Sequence, residues 1–122
     1  MMGKHILIVD DEETNVEYFK DLLEVSGYTI TVARNGQEAM DMAVSQKPDM
    51  ILMDVQMPIK DGLAATRELR AQDGFGDLPI IALTALAMTG DREKTLEAGC
   101  TDYISKPVRV KDLLAKVAEY LG

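Results

Sequence analysis

The sequence predicts an α/β fold, a doubly wound parallel sheet covered by helices. Short apolar runs alternate with stretches of helical periodicity five times along the 122 residues. Strands that are separated by helices pair in parallel, because the helical crossover returns the chain to the same end of the sheet. Apolar residues make up 47% of the chain, enough for one core, so residues 1–122 are predicted to form a single domain.

Differences among the five predicted strands indicate their order in the sheet. The strands at 6–9, 50–53 and 80–83 are apolar throughout, which is typical of strands buried on both faces. The run at 29–32 alternates polar and apolar residues, and the strand at 103–104 is very short. Because edge strands need not be apolar on both faces, the pattern predicts the order 2-1-3-4-5 with right-handed crossovers.

A stripe of apolar residues after each strand predicts a helix. The first helix follows Thr14, whose spacing to Glu17 is that of a capping box, and it ends at Gly27. The later helices are predicted at about residues 37–45, 63–71, 91–98 and 110–121. Pro48 and Gly99 end the second and fourth helices.

Charge and cysteine content exclude several classes of function. The 13 Lys and Arg residues against 21 Asp and Glu residues give a net charge of −8 without a basic stripe, which argues against direct nucleic-acid binding. No apolar run approaches the about 18 residues of a membrane helix, and no signal peptide is evident. The single cysteine, Cys100, excludes an internal disulfide and fits a reducing compartment. We therefore expect a cytoplasmic protein without a membrane partner.

Polar side chains follow four of the five predicted strands, at the point where each strand ends. They are Asp10 and Asp11, Asp54, Thr84 and Lys106. In an open α/β sheet, ligands bind beyond the carboxyl ends of the strands, at the point where the winding reverses. One Asp in such a position is commonly a helix cap, but the combination predicts a shared site.

The residue types in this predicted site favour phosphoryl chemistry. Clustered carboxylates repel each other unless a cation joins them, and oxygen ligands without His or Cys favour Mg²⁺. Ca²⁺ is the alternative, although nothing supplies a cage of about six to eight oxygens. Thr84 and Lys106 would surround Asp54 with groups that bind phosphoryl oxygens, which makes Asp54 a candidate nucleophile. Lys106 is also explicable as a surface lysine, but Pro107 permits a cis bond that would aim it inward.

Five segments together carry a more specific resemblance. They read Ile-Leu-Ile-Val-Asp-Asp at 6–11, Met-Asp-Val-Gln-Met-Pro-x-x-Asp-Gly at 53–62, Thr84-Ala85, Gly-Cys-x-x-Tyr at 99–103 and Lys106-Pro107. Over about residues 4–121, the chain resembles the CheY-like receiver domains of two-component response regulators. The resemblance implies the flavodoxin-like (βα)5 fold with the strand order 2-1-3-4-5.

The resemblance also implies the role of each site residue. Asp54 would be the phosphoacceptor, and Lys106 would pair with the phosphoryl group. Asp10, Asp11, Asp54 and the backbone carbonyl of Gln56 would hold Mg²⁺. The chain would then catalyse only its own phosphorylation and autodephosphorylation, rather than act as an enzyme on other substrates.

Four positions would govern the response to phosphorylation. Thr84 would move to bond the phosphoryl group, and Tyr103 would change rotamer as Thr84 moves, so that the face formed by the last two helices and the fifth strand repacks. Gln56 and Leu86 would tune the lifetime of the phosphoryl group. Leu86 offers no polar group to orient a water molecule, which predicts slow self-hydrolysis.

The resemblance implies a signalling switch with protein partners. A histidine kinase or a histidine phosphotransfer protein would supply the phosphoryl group, and a downstream protein target would bind the activated form. Because the sequence ends with its last helix, we expect a single-domain regulator of the chemotaxis or cell-cycle phosphorelay type. The alternative is a receiver domain excised from a hybrid histidine kinase or a longer response regulator. A weak homodimer through the last two helices and strand is left open.

Two other classes share parts of this pattern. An FMN-binding protein of flavodoxin type needs a hydroxyl- and Gly-rich phosphate loop after the first strand, but acidic residues occupy 10–13 here and the chain has no Trp. A hydrolase of the haloacid-dehalogenase type would place a second Asp two residues after Asp54, where Gln56 stands. Both alternatives fit the sequence less well than the receiver domain.

Overall fold

A five-stranded parallel sheet forms the centre of the molecule. The computed structural model describes residues 4–55, 62–72, 74–84 and 91–121. The strands are β1 (His5–Val9), β2 (Thr29–Ala33), β3 (Met50–Asp54), β4 (Ile80–Thr84) and β5 (Asp102–Ser105). The helices are α1 (Glu13–Val25), α2 (Gly36–Gln46), α3 (Gly62–Arg70), α4 (Asp91–Glu97) and α5 (Val110–Leu121).

The strand order is β2-β1-β3-β4-β5, and every neighbouring pair is parallel. This confirms the order predicted from the apolar and mixed strands. In the register of the sheet, Val9 pairs with Met53, and Asp54 pairs with Leu83. The carboxyl ends of β1, β3 and β4 therefore lie side by side at one edge.

Both faces of the sheet are covered by helices, which explains why the three central strands are apolar throughout. Side chains of β1 alternate between the faces: Leu7 and Val9 lie in a cluster with residues of α2 and α3, whereas Ile6 and Ile8 lie in a cluster with residues of α1 and α5. All residues of β3 and β4 are buried. On the edge strand β2, only Ala33 is buried. Burial on both faces stabilises the central strands through the hydrophobic effect.

The predicted capping box of the first helix is wrong. Helix α1 begins at Glu13, so that Thr14 lies inside its first turn, and the N-cap residue Glu12 makes no side-chain capping bond. Instead, the backbone N–H of Glu12 donates to Oδ1 of Asp10, at 3.0 Å. The carboxylate at the end of β1 therefore organises the turn into α1.

A side-chain N-cap that the sequence analysis did not predict begins α2. The side chain of Asn35 accepts a hydrogen bond from the backbone N–H of Glu38, at 2.9 Å. The Glu38 carboxylate in turn accepts from the backbone N–H of Arg34, at 3.1 Å. The first bond satisfies a backbone donor that the helix itself leaves free, and the second holds the residue before the N-cap.

Strand β5 is longer than predicted, at four residues rather than two. The Lys106–Pro107 peptide bond that follows it is cis. No helix in the described part of the chain is long and apolar enough to cross a membrane.

Candidate functional site

Three carboxylates meet at the carboxyl edge of the sheet, where β1 and β3 are neighbours. One oxygen atom from each of Asp10, Asp11 and Asp54 lies within 4.8 Å of the others. Asp10 is 0% exposed and Asp54 is 3% exposed, whereas Asp11 is exposed to solvent. Asp10 and Asp54 are therefore shielded from water, whereas Asp11 lies on the solvent-exposed side of the cluster.

The environment of Asp10 favours a bound cation. Burial raises the pKa of Asp10, and the charge of Asp54 raises it further, although the Glu12 amide, Lys106 and the side chain of Asn15 oppose the shift. Its Oδ2 atom is buried and makes no hydrogen bond with any described residue. A buried carboxylate oxygen without a partner is unfavourable, and a hard cation with oxygen ligands removes that cost. The donor set of the described residues therefore fits Mg²⁺.

A lysine reaches the same cluster from the far side of β4. The Nζ atom of Lys106 lies 3.0 Å from Oδ1 of Asp54, and its side chain is 24% exposed. Its backbone N–H donates to the carbonyl of Thr84 at 2.8 Å, which continues the pairing of β4 and β5 beyond the strand ends. Among the described residues, the cluster thus combines three carboxylates with the one ammonium that contacts Asp54, and the excess negative charge suits a divalent cation.

Thr84 and Tyr103 lie on the two strands beyond Asp54. Thr84 is the buried last residue of β4, one position after Leu83, which pairs with Asp54. Tyr103 pairs with Ala82 in the next strand and packs, half-buried, against the cluster that contains Met53 and Ala82. Thr84 and Tyr103 therefore lie on β4 and β5, the two strands next to β3 on the side of Lys106.

Two residues of the sequence prediction lie outside the described part of the chain. They are Gln56, predicted to offer its carbonyl to the metal, and Leu86, predicted to slow hydrolysis. Their assigned roles remain predictions.

Gly62 contributes to the site in a way that only the structure shows. Its N–H donates to the carbonyl of Val55 at 3.1 Å. A Cβ atom at this position would lie 2.2 Å from the backbone oxygen of Asp54. The first residue of α3 must therefore be glycine, because any side chain would collide with the backbone of Asp54. The Asp-Gly dipeptide before a helical stretch was the available sequence signal.

A groove next to Lys106 was also not predicted. Its volume is about 200 Å³. Its lining comes from α1 and from the segment after β5, namely Asn15, Tyr18, Phe19, Lys106, Pro107 and Val108. The groove therefore lies between α1 and Lys106, the residue that contacts Asp54.

Comparison with protein families identifies the type of domain. Residues 6–118 match the response regulator receiver domain. The chain belongs to that family. This result favours the receiver domain over the FMN protein and the hydrolase, and it agrees with the motifs at the strand ends.

Named relatives of this receiver domain include response regulators and part of a sensor kinase. The polar-differentiation response regulator DivK of Brucella anthropi is 46% identical over 121 residues, which cover 99% of this chain and 98% of DivK. The chemotaxis response regulator CheY4 of Vibrio cholerae is 27% identical, with a TM-score of 0.93 and coverage of 99% and 100%.

A third relative is a receiver domain that contains a metal ion. The receiver domain of the sensor histidine kinase PA1611 from Pseudomonas aeruginosa PAO1 is 42% identical, with a TM-score of 0.90 and coverage of 97% of each chain. A magnesium ion is coordinated in the active-site cleft of that protein. In the present receiver domain, Asp10, Asp11 and Asp54 form a group of carboxylates that could hold a metal ion.

Proposed function

We propose that this receiver domain, residues 1–122, is a phosphorylation-activated signalling switch with Asp54 as phosphoacceptor. The observation that carries the proposal is the contact of Lys106 Nζ with Asp54 Oδ1, at 3.0 Å within a buried acidic cluster. The phosphoryl donor is a phosphohistidine of a histidine kinase or of a histidine phosphotransfer protein.

The proposed reaction is a displacement at phosphorus. A carboxylate oxygen of Asp54 forms a bond to phosphorus as the bond to the donor's imidazole nitrogen breaks, and the imidazole leaves with the electron pair of that bond. The ammonium of Lys106 neutralises negative charge on the phosphoryl oxygens during the transfer. The product is an acyl phosphate on Asp54.

Asp10, Asp11 and Asp54, together with the carbonyl of Gln56, would hold Mg²⁺. When bound, the ion supplies positive charge that stabilises the phosphoryl oxygens. The buried Oδ2 atom of Asp10, which makes no hydrogen bond with the described residues, supports this assignment, because a bound cation would satisfy it.

The groove beside Lys106 supports an approach of the donor over α1. Phe19 is buried below it, whereas the ring of Tyr18 is 42% exposed. Tyrosine is enriched at protein–protein interfaces. A donor helix seated there would bring its phosphohistidine to the carboxylate cluster.

The output of the switch is proposed to pass through Thr84 and Tyr103 to a downstream protein target. A new phosphoryl group adds about 1.5 to 2 negative charges and draws the Thr84 hydroxyl towards it. Tyr103 also lines a groove of about 580 Å³ between β5 and α5, so that a change in its rotamer alters this surface. Alternatively, a second copy of the chain binds the same face and forms a weak homodimer.

Intact-mass spectrometry with acetyl phosphate tests this function. We expect the wild type to gain one phosphoryl group in the presence of Mg²⁺, and much more slowly after chelation of the metal. Asp54→Asn, which keeps the shape of the side chain but removes the nucleophile, should gain none. Absence of an adduct in the wild type under every condition would contradict the proposal.

A further inference from the structure

Helix α3 is joined to the turn between α4 and β5 through three consecutive residues of that turn. Arg70, at the end of α3, donates from Nε to the carbonyl of Gly99 at 2.8 Å and from Nη2 to Oγ1 of Thr101 at 3.2 Å. Between them, the thiol of Cys100 donates to Oγ1 of Thr66 at 3.8 Å. The middle and the end of α3 are thus held by one turn.

The Thr66 hydroxyl has two partners in the interior. The residue is 0% exposed, and its Oγ1 donates to the carbonyl of Gly62 at 2.7 Å. Burial raises the pKa of the Cys100 thiol, so the thiol keeps its proton and serves as the donor to Thr66. A hydrogen bond from a threonine hydroxyl to the carbonyl four residues earlier is common in helices. Here the same hydroxyl also accepts a hydrogen bond from Cys100, which lies outside α3 in the turn between α4 and β5.

The carbonyl that receives this bond belongs to the residue that lies against the phosphoacceptor. The backbone of Gly62 approaches Asp54 so closely that an added Cβ would lie 2.2 Å from the Asp54 oxygen. Its N–H also donates to Val55, the residue after Asp54. A shift of the first turn of α3 would therefore displace the backbone that carries the reactive carboxylate.

We propose that Thr66 is a positioning residue for Asp54. Its hydroxyl, held by Cys100, keeps Gly62 against the backbone of the phosphoacceptor and so fixes the Asp54 carboxylate relative to Asp10, Asp11 and Lys106. This inference rests on the proposed function, because it assigns Thr66 to the geometry of that site. Small displacements of a reacting group are costly in rate, since catalysis depends on a near-attack arrangement.

Two substitutions of Thr66 separate positioning from general stability. Thr66→Val keeps the shape and removes the hydroxyl, whereas Thr66→Ser keeps the hydroxyl and removes a methyl group. Thr95→Val is the matched control, because Thr95 is a buried threonine of α4, 2% exposed. The measurements are the Mg²⁺ dissociation constant by calorimetry, the rate constant of adduct formation with acetyl phosphate, and Tm.

We expect Thr66→Val to weaken Mg²⁺ binding and to slow adduct formation by about 3- to 10-fold each. This loss is smaller than the about 10²-fold loss of rate that follows a 1 Å misplacement of a reacting group, because the Asp54 carboxylate should move by less than that. Thr66→Ser should stay within about twofold of the wild type in both. Thr95→Val should lower Tm without changing either quantity. If Thr66→Val does not fold, Cys100→Ala removes the donor to the hydroxyl together with the packing of a buried sulfur, and it should produce the same direction of change in Mg²⁺ affinity and adduct rate.

A Thr66→Val protein with lowered Tm but wild-type Mg²⁺ affinity and adduct rate would overturn the positioning role. So would a Thr66→Ser protein as impaired as Thr66→Val. If the wild type forms no adduct, the proposed function fails, and the Mg²⁺ titration alone still decides whether Thr66 positions Asp54.

Discussion

The ammonium nitrogen of Lys106 lies 3.0 Å from Oδ1 of Asp54, although 52 residues separate the two along the chain. The lysine follows β5 and the aspartate ends β3, with β4 between them. Its long side chain therefore reaches across one strand to the acidic cluster. This contact places a positive charge where a phosphoryl group on Asp54 would be negative.

We expect Lys106→Ala to slow phosphorylation by acetyl phosphate by about 10²-fold, because a positioned charge that stabilises the transition state is lost. Intact-mass time courses at saturating Mg²⁺ measure the rate constant. Lys111→Ala is the control, because Lys111 is an exposed lysine of α5 outside the cluster. An unchanged rate in Lys106→Ala would show that the ammonium does not act on the phosphoryl group.

Asp10→Asn should raise Tm when no metal is present. Burial raises the pKa of Asp10 in the folded state, so the folded protein binds its proton more tightly than the unfolded chain. Ionisation of Asp10 therefore lowers stability as pH rises through the folded-state pKa, and the amide removes that cost. Thermal melts at neutral pH with EDTA measure the difference.

The same substitution should abolish stabilisation by Mg²⁺. A ligand that binds only the folded state contributes about 2.7 kcal/mol at a hundredfold excess over its Kd. Wild type should therefore gain in Tm on addition of Mg²⁺, whereas Asp10→Asn should gain far less. Equal gains in both proteins would exclude Asp10 as a ligand.

Gly62→Ala should destabilise the fold by about 1–3 kcal/mol, since the new Cβ cannot fit beside the Asp54 carbonyl without moving α3. Urea denaturation measures the free energy of unfolding. Gly76→Ala is the matched control, because a Cβ at Gly76 meets nothing within 4 Å. If the two variants lose the same stability, the close approach of Gly62 is not the cause.

Tyr120→Phe should change the alkaline end of the stability profile. Burial and the hydrogen bond to Asp102 raise the pKa of Tyr120 from 10.0 to about 12, and its hydroxyl donates to Asp102 Oδ2 at 2.9 Å. Between these pH values the unfolded chain loses the tyrosine proton while the folded protein keeps it. Tyr120 therefore stabilises the fold below pH 10, and that contribution is lost as pH rises towards 12.

At pH 7 the phenylalanine variant should lose about 1 kcal/mol, the value of one hydrogen bond. The difference in the free energy of unfolding between the two proteins should decrease steadily as pH rises from 10.0 to about 12. Chemical denaturation of both proteins at several pH values gives the difference. A constant difference across the series would contradict the assigned role of the hydroxyl.

Much of the architecture was predictable, because strands that are buried on both faces have apolar residues at every position. The uninterrupted apolar runs at β1, β3 and β4 predicted the three central strands, and the mixed run at β2 predicted an edge. Parallel pairing then requires that all strands end at the same edge. The neighbourhood of Asp10, Asp11 and Asp54 follows from that topology, since each residue lies at or just after a strand end.

The start of the first helix was less predictable, because Asp10, Asp11, Thr14 and Asn15 are all residues of the types that cap helices. Thr14 has the spacing of a capping box with Glu17, but the turn after β1 is organised by the carboxylate of Asp10. Asn35 has the same spacing to Glu38, and there the side chain of Asn35 does cap the helix. Which residue caps a helix therefore depends on the conformation of the turn that joins the preceding strand to it.

The sequence by itself determined the strand order and the edge at which the acidic residues gather, because hydrophobic patterning and parallel crossovers act over whole segments. Only the tertiary structure decided which atoms meet there. The contact of Lys106 with Asp54, the approach of Gly62 to the Asp54 backbone and the bond of Cys100 to Thr66 each depend on distances between elements far apart in the chain. Local propensity carries no information on such distances, since side-chain packing sets them within tenths of an ångström.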